Sequence, residues 1–156
     1  GKKLLFMGGE IGQWSEWDCK GEIDWKLLEF PLHAQLQKCV ADLNALYQSQ
    51  SALWERDFSW QGFEWIDFSD WEQSVISYLR KSSSSNLACV HNFTPEVRQH
   101  YKLPLKNVKR MEEIFNTDRA DYGGSDQRNL QMVIELDGVI FSLPPLATMI
   151  FEVEFG

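Results

Sequence analysis

Apolar positions recur with two different periods along this chain, and the change falls near Leu53. Before it, Leu32, Leu36, Cys39, Val40, Leu43, Leu46 and Tyr47 repeat at helical spacing. That pattern predicts a helix from about Pro31 to Gln48 with one buried face, and Pro31 suits the first helical position. Upstream, Lys3 to Met7 is a short apolar run that stops at Gly8-Gly9 and reads as a buried strand. Gly8 to Gly21 is a polar loop, and Ile23 to Leu28 a short helical turn. Strand, loop and packing helix make one βα unit.

After Leu53 the runs are short and separated by turn signals. Strands are expected at Phe63 to Phe68, Val75 to Arg80, Leu87 to Phe93, Val97 to Leu103, Val108 to Phe115, Met132 to Leu136, Val139 to Leu143 and Ala147 to Phe155. In the second, Val75, Ser77 and Leu79 share one face. The serines of Lys81 to Asn86 read as a flexible hairpin tip, and Asp137-Gly138 is a strong two-residue hairpin signal. About eight short strands imply an antiparallel sandwich. The fold expected is mainly β: a βα unit over residues 1–56, then an all-β sandwich over residues 57–156. The aromatic cluster Trp54, Phe58, Trp60, Phe63 and Trp65 fits a seam between helix and sandwich, with glycan binding as the other reading.

Composition narrows the partners. A chain of 156 residues with 44% hydrophobic and 24% charged residues suits a soluble globular protein. A net charge of −8 argues against nucleic acid and against an anionic membrane surface, whereas neutral sugars are indifferent to it. No apolar run approaches the roughly 18 residues of a membrane span, and Leu4 to Met7 is too short for a signal peptide. Cys19, Cys39 and Cys89, odd in number and widely spaced, read as free thiols in a reducing, cytoplasmic setting. Opening at Gly1 directly before a buried run, the sequence reads as a piece of a longer chain.

The chemistry concentrates between Leu4 and Trp25. Glu10, Glu16, Asp18 and Asp24 supply acceptors there, and Gln13 both donates and accepts. Trp14, Trp17 and Trp25 add flat apolar faces with a polar edge. Such a loop suits a carbohydrate, which has apolar C–H faces and hydroxyl edges. Solvated acids and packed tryptophans are the alternative.

Phe6-Met7-Gly8-Gly9-Glu10-Ile11-Gly12-Gln13, then Glu16-Trp17 and Ile23-Asp24-Trp25, resembles the end of the catalytic barrel of glycogen branching enzymes, in the α-amylase superfamily. Gly9 and Ile11 stand where that family usually has asparagine and phenylalanine. Asn116-Thr117-Asp118, Tyr122-Gly123-Gly124-Ser125, Asn129 and Leu143-Pro144-Pro145-Leu146-Ala147-Thr148 are similar to the same family in the same order, as are Gly62 to Ile66 and Asn92 to Pro95. The resemblance implies the last βα unit of a (β/α)8 barrel followed by an amylase-type C-terminal sandwich. It also implies an enzyme, taken whole, that moves an α-1,4-glucan segment to a 6-hydroxyl with retention. The catalytic carboxylates of that family follow earlier barrel strands, so none maps onto this chain, and the chain by itself is expected to be inactive. Glu10, Gln13 and Trp17 map to the rim, as substrate-binding residues for α-glucan. The partner expected is the remainder of the barrel. A carbohydrate-binding sandwich module and the end of a related glucan hydrolase are the alternatives.

Other signals add no chemistry. The loop from Asn116 to Asn129 reads as structural, lacking the lysine and hydroxyl pair of a phosphate loop. His33, His91 and His100 have no metal-ligand spacing; no cofactor or metal is expected. Asn92-Phe93-Thr94 reads as a chance glycosylation match at a strand end.

Overall fold

A computed structural model describes residues 3–15 and 18–156. One long helix, α1 (Pro31–Ser49), precedes eight strands: β1 (Phe63–Asp67), β2 (Val75–Lys81), β3 (Asn86–Asn92), β4 (Arg98–Leu103), β5 (Val108–Asn116), β6 (Val133–Glu135), β7 (Gly138–Leu143) and β8 (Thr148–Phe155). They form a five-stranded sheet in the order β1-β2-β3-β8-β5 and a three-stranded sheet β4-β7-β6. All the pairings are antiparallel.

The architecture has three layers. Between the sheets, Val75 and Leu79 of β2, Val90 of β3 and Met149, Phe151 and Val153 of β8 meet Leu103, Phe141 and Leu143 from the smaller sheet. The alternation read from Val75, Ser77 and Leu79 holds, all three being buried. On the other face of the large sheet, Leu87, Cys89, Phe115 and Ile150 form a second core under Ala52, Leu53, Cys39, Leu46 and Tyr47. β3 is therefore apolar on both sides, as its near-continuous apolar run requires.

Four expectations change. Residues 3–6 form no strand, and Leu4 is 87% exposed. A strand needs a neighbour for its backbone groups, and neither sheet of this chain pairs with that segment. No residue of α1 is fully buried; its C-terminal half packs on the sheet while Leu32, Leu36 and Leu43 stay exposed. The aromatic seam is not sealed by aromatics. Phe58 and Trp60 are 79% and 84% exposed, and Ala52 and Leu53, on the short turn after α1, close the joint instead. The hairpin turn is Leu136-Asp137, since Glu135 pairs with Gly138. Gly138 serves close approach: a Cβ there would lie 2.6 Å from the Leu103 carbonyl oxygen of β4.

The serine tip is tied down as well. Ser51 Oγ donates to Ser82 Oγ at 2.8 Å, and the Ser83 N–H donates to Glu55 at 2.9 Å. Asn92 is buried, and its amide donates to the Glu96 and Pro144 carbonyls at 2.8 Å each, so it is no accessible glycan acceptor.

Phe151 is wholly buried between the sheets. Phe151→Ala should cost about 3–5 kcal/mol, while Leu136→Ala, 96% exposed at the hairpin tip, should stay within about 0.5 kcal/mol. Urea unfolding followed by tryptophan fluorescence checks both; similar losses at the two positions would contradict the layer assignment.

Candidate functional site

The loop that follows residues 3–6 is built on a tight turn. Gly8, at φ 77°, sits in the left-handed region and precedes a 3-10 turn, Gly9–Ile11. A Cβ at Gly8 would lie 2.9 Å from the Gln13 Cβ, so glycine at this one position permits both the conformation and the approach. The Gln13 N–H donates to the Gly8 carbonyl at 3.1 Å. Gln13 Oε1 in turn accepts from the Asp24 N–H at 3.0 Å, pinning the far limb of the loop to its start. Glu10 is half-buried within the same turn. Glu10 and Gln13 thus stand on one turn. Trp17, with Glu16, lies outside the described residues.

The turn is anchored to α1. Ile11 is fully buried, and its carbonyl oxygen lies 2.6 Å from His33 Nδ1. The Trp14 ring meets His33 edge-on at 5.2 Å and Phe30 at 5.9 Å. His33 is the functional neighbour that sequence reasoning missed. Tested only as a metal ligand, it acts as a loop anchor, and its position on the first turn of α1 was the available signal. Among the described residues no group of three or more His, Cys, Asp or Glu is placed to hold a metal ion.

The Asn116 to Asn129 loop also contacts this helix. Asp118 is buried and accepts from the Ser125 N–H and hydroxyl at 2.9 and 2.8 Å and from the Gln127 N–H at 2.9 Å. A Cβ on Gly124 would lie 2.2 Å from the Asp118 carbonyl oxygen, so no larger residue fits the fold of this loop. Asn116 and Asn129 tie it to the sandwich through Gln127, Glu113 and Ser142. At its tip the Tyr122 hydroxyl donates to Asp42 of α1 at 2.7 Å, and Lys38 pairs with the same carboxylate at 2.7 Å. Burial, then the bonded Asp42 carboxylate, pushes the Tyr122 hydroxyl up, so it remains a donor. The structural reading of this loop stands.

A second clamp joins the N-terminal segment to the sandwich. The Asp57 carboxylate, 3% exposed, accepts from Arg80 of β2 at 2.5 Å and from Lys3 at 2.6 Å. Lys3 also donates to the Leu53 carbonyl. Burial would raise the Asp57 carboxyl, but the hydrogen bonds from Lys3 and Arg80 outweigh it and hold the group below its ordinary 3.8.

Residues 65–154 match the alpha amylase, C-terminal all-beta domain. The chain belongs to that family. The match runs from within β1 to within β8, leaving α1 and the loop before it outside. Over 158 residues the chain is 50% identical to the 1,4-alpha-glucan branching enzyme GlgB of Protochlamydia amoebophila, covering 97% of this chain and 22% of that protein. Identity to the branching enzyme GlgB of Aquifex aeolicus is 52% over 132 residues, 83% of this chain and 21% of the relative. The chain thus spans only about a fifth of the length of these relatives. Among solved structures, the alpha-amylase from H. orenii superposes with a TM-score of 0.61 at 16% identity, over 96% of this chain and 32% of that one. A GBS pullulanase superposes at 0.56 and 20% identity, over 85% and 18%. Both show a shared fold.

The clamp carries a pH signature. Because the folded pKa of Asp57 is depressed, its stabilisation is complete above its ordinary value and is lost as pH falls through the folded one. The Tm gap between the unmodified chain and Asp57→Asn should be widest above about pH 5 and narrow toward about pH 2. Thermal melts by circular dichroism across that range check it, and a gap independent of pH would exclude the clamp.

Proposed function

We propose that this chain is the C-terminal part of a 1,4-alpha-glucan branching enzyme acting in glycogen synthesis. The observation that carries the reading is 50% identity over nearly the whole chain to a named branching enzyme. In this reading residues 1–56 close a (β/α)8 catalytic barrel and residues 57–156 are the sandwich behind it. The exposed Leu4 and the bare stripe of α1 then belong to a barrel wall completed by the rest of the protein.

The reaction breaks an α-1,4 bond and re-forms the linkage to a 6-hydroxyl. Retention needs one carboxylate as nucleophile and a second as acid, then base. In this proposal both come from the earlier barrel strands, and the isolated chain is inactive. Its own residues act at the rim. Glu10 and Gln13, on the turn anchored by Ile11 to His33, support or touch glucan, and Trp17 offers a stacking face. No cofactor or metal is invoked. A cytoplasmic location fits three free cysteines and the finding that no described helix is long and apolar enough to cross a membrane.

For the binding-module alternative, Tyr78 is no open platform. Tyr78 has one ring face against Phe63 at 5.2 Å and the other side against His91 at 5.3 Å, both stacked. Those faces are used within the protein rather than offered to a sugar.

In the intact protein, Glu10→Ala and Trp17→Ala should each cut the branching rate about tenfold, the loss of an interaction of about 1–3 kcal/mol. Trp60→Ala, at an exposed position, should leave rate and Tm nearly unchanged. The iodine absorbance of amylose gives the rate. Equal losses from all three substitutions, or none from Glu10→Ala and Trp17→Ala, would refute the rim assignment.

A further inference from the structure

Two glycines stand side by side at the start of the rim turn, and the fold accounts for only one of them. Gly8 is at φ 77°, and a Cβ there would lie 2.9 Å from the Gln13 Cβ. Gly9 has neither constraint. Its φ lies outside the left-handed region. Among the described residues a Cβ there would meet only Leu5 Cδ1, at 3.6 Å, an ordinary van der Waals distance. Glycine costs an ordered turn backbone entropy, so it suits positions where the conformation or a close approach to the backbone demands it. No described part of this chain makes that approach at Gly9, which is exposed.

Hydrogen bonding is not what Gly9 offers. Its N–H donates to the Phe6 carbonyl at 2.8 Å, and its carbonyl accepts from the Gly12 N–H at 3.3 Å. What it offers is room. The missing side chain lowers the outline of the turn directly beside Glu10. The turn is pinned to α1, so that room stays where it is. Ile11 is fully buried, with its carbonyl oxygen on His33 Nδ1. A Cβ on Gly12 would lie 2.9 Å from Leu36 Cδ2, so the backbone already sits close against the helix.

The two departures from the branching-enzyme pattern therefore differ in kind. Ile11, in place of phenylalanine, is buried and alters packing beneath the turn. Gly9, in place of asparagine, is exposed and alters the outer outline of the rim. A linear glucan presents one chain to a rim. A glucan already carrying an α-1,6 branch near the reacting bond presents two, and needs a wider opening. A side chain at residue 9 would discriminate against the second by a clash, and glycine removes that clash.

We propose that Gly9 is a specificity-determining position that lets an already branched glucan pass close to the backbone beside Glu10. The inference rests on the branching-enzyme reading, which puts Glu10 at the rim. A side chain at residue 9 would fill space that the branch occupies in ground state and transition state alike. Its cost therefore falls on KM and not on kcat.

Steady-state kinetics of the intact protein on amylose and on amylopectin, followed by iodine absorbance, test this. Gly9→Asn should raise KM for amylopectin about tenfold more than KM for amylose. Gly9→Ala should shift the same ratio in the same direction by less. Neither variant should lower Tm, since the position accepts a Cβ without strain. An amylose-to-amylopectin preference that Gly9→Asn does not move overturns the proposal and leaves the branching reading intact. A loss shared equally by both glucans, together with a lower Tm, assigns the room at Gly9 to packing against the rest of the protein and likewise overturns it. If Gly9→Asn does not fold, the preference of Gly9→Ala decides by the same comparison. An unmodified intact protein that folds but branches neither glucan overturns the functional reading instead.

Discussion

The large sheet must be covered on both faces, and the rest of the structure follows from that demand. β3 buries Ala88 and Val90 toward one core and Leu87 and Cys89 toward the other. A strand of this kind cannot leave either face in water, because each buried aliphatic side chain contributes roughly 1.5–3 kcal/mol only while it stays covered. The three-stranded sheet supplies one cover. The C-terminal half of α1, with Ala52 and Leu53, supplies the other. Burial pushes the Cys89 thiol up to about 12.

The helix is thus held by the sandwich more than by its own propensity, and polar clamps set its position. Tyr122 and Lys38 converge on Asp42 near the middle of α1, and Asp57 gathers Arg80 and Lys3 beyond its end. The N-terminal turn that presents Glu10 and Gln13 hangs from the same helix through His33. A chain of contacts therefore runs from the buried Asp118 loop, through α1, to the candidate glucan-facing turn. In the proposed branching-enzyme reading the sandwich would hold the helix from which this turn hangs. This accords with functional loops drawing their order from the scaffold beneath them.

Much of the fold is legible in the residues. Short apolar runs bounded by turn signals place every strand of the sandwich to within a residue or two. Helical spacing and Pro31 place α1. Gly8-Gly9 announces a turn that only glycine adopts easily, and the ordered motifs from Gly8 to Thr148 announce the family. Local chemistry is enough for each of these, since each depends on neighbours close in sequence.

What the residues leave undecided are the contacts between distant segments. Lys3 to Met7 has the composition of a strand, yet pairing decides strands, and among the described residues no strand pairs with it. Asp137-Gly138 looks like a turn, but Gly138 pairs with Glu135, so the turn falls one residue earlier, and close approach of the Leu103 carbonyl leaves no room for a side chain at Gly138. Phe58 and Trp60 look like core and stand in solvent, while the smaller Ala52 and Leu53 fill the joint. His33, Asp57 and Arg80 carry no pattern at all, and their roles exist only once segments far apart in sequence are brought within hydrogen-bonding distance. Sequence by itself determined the elements, their order and the family. Tertiary structure alone decided which apolar surfaces are covered and which polar groups meet, because burial and long-range pairing belong to the assembled layers and not to any one stretch of chain.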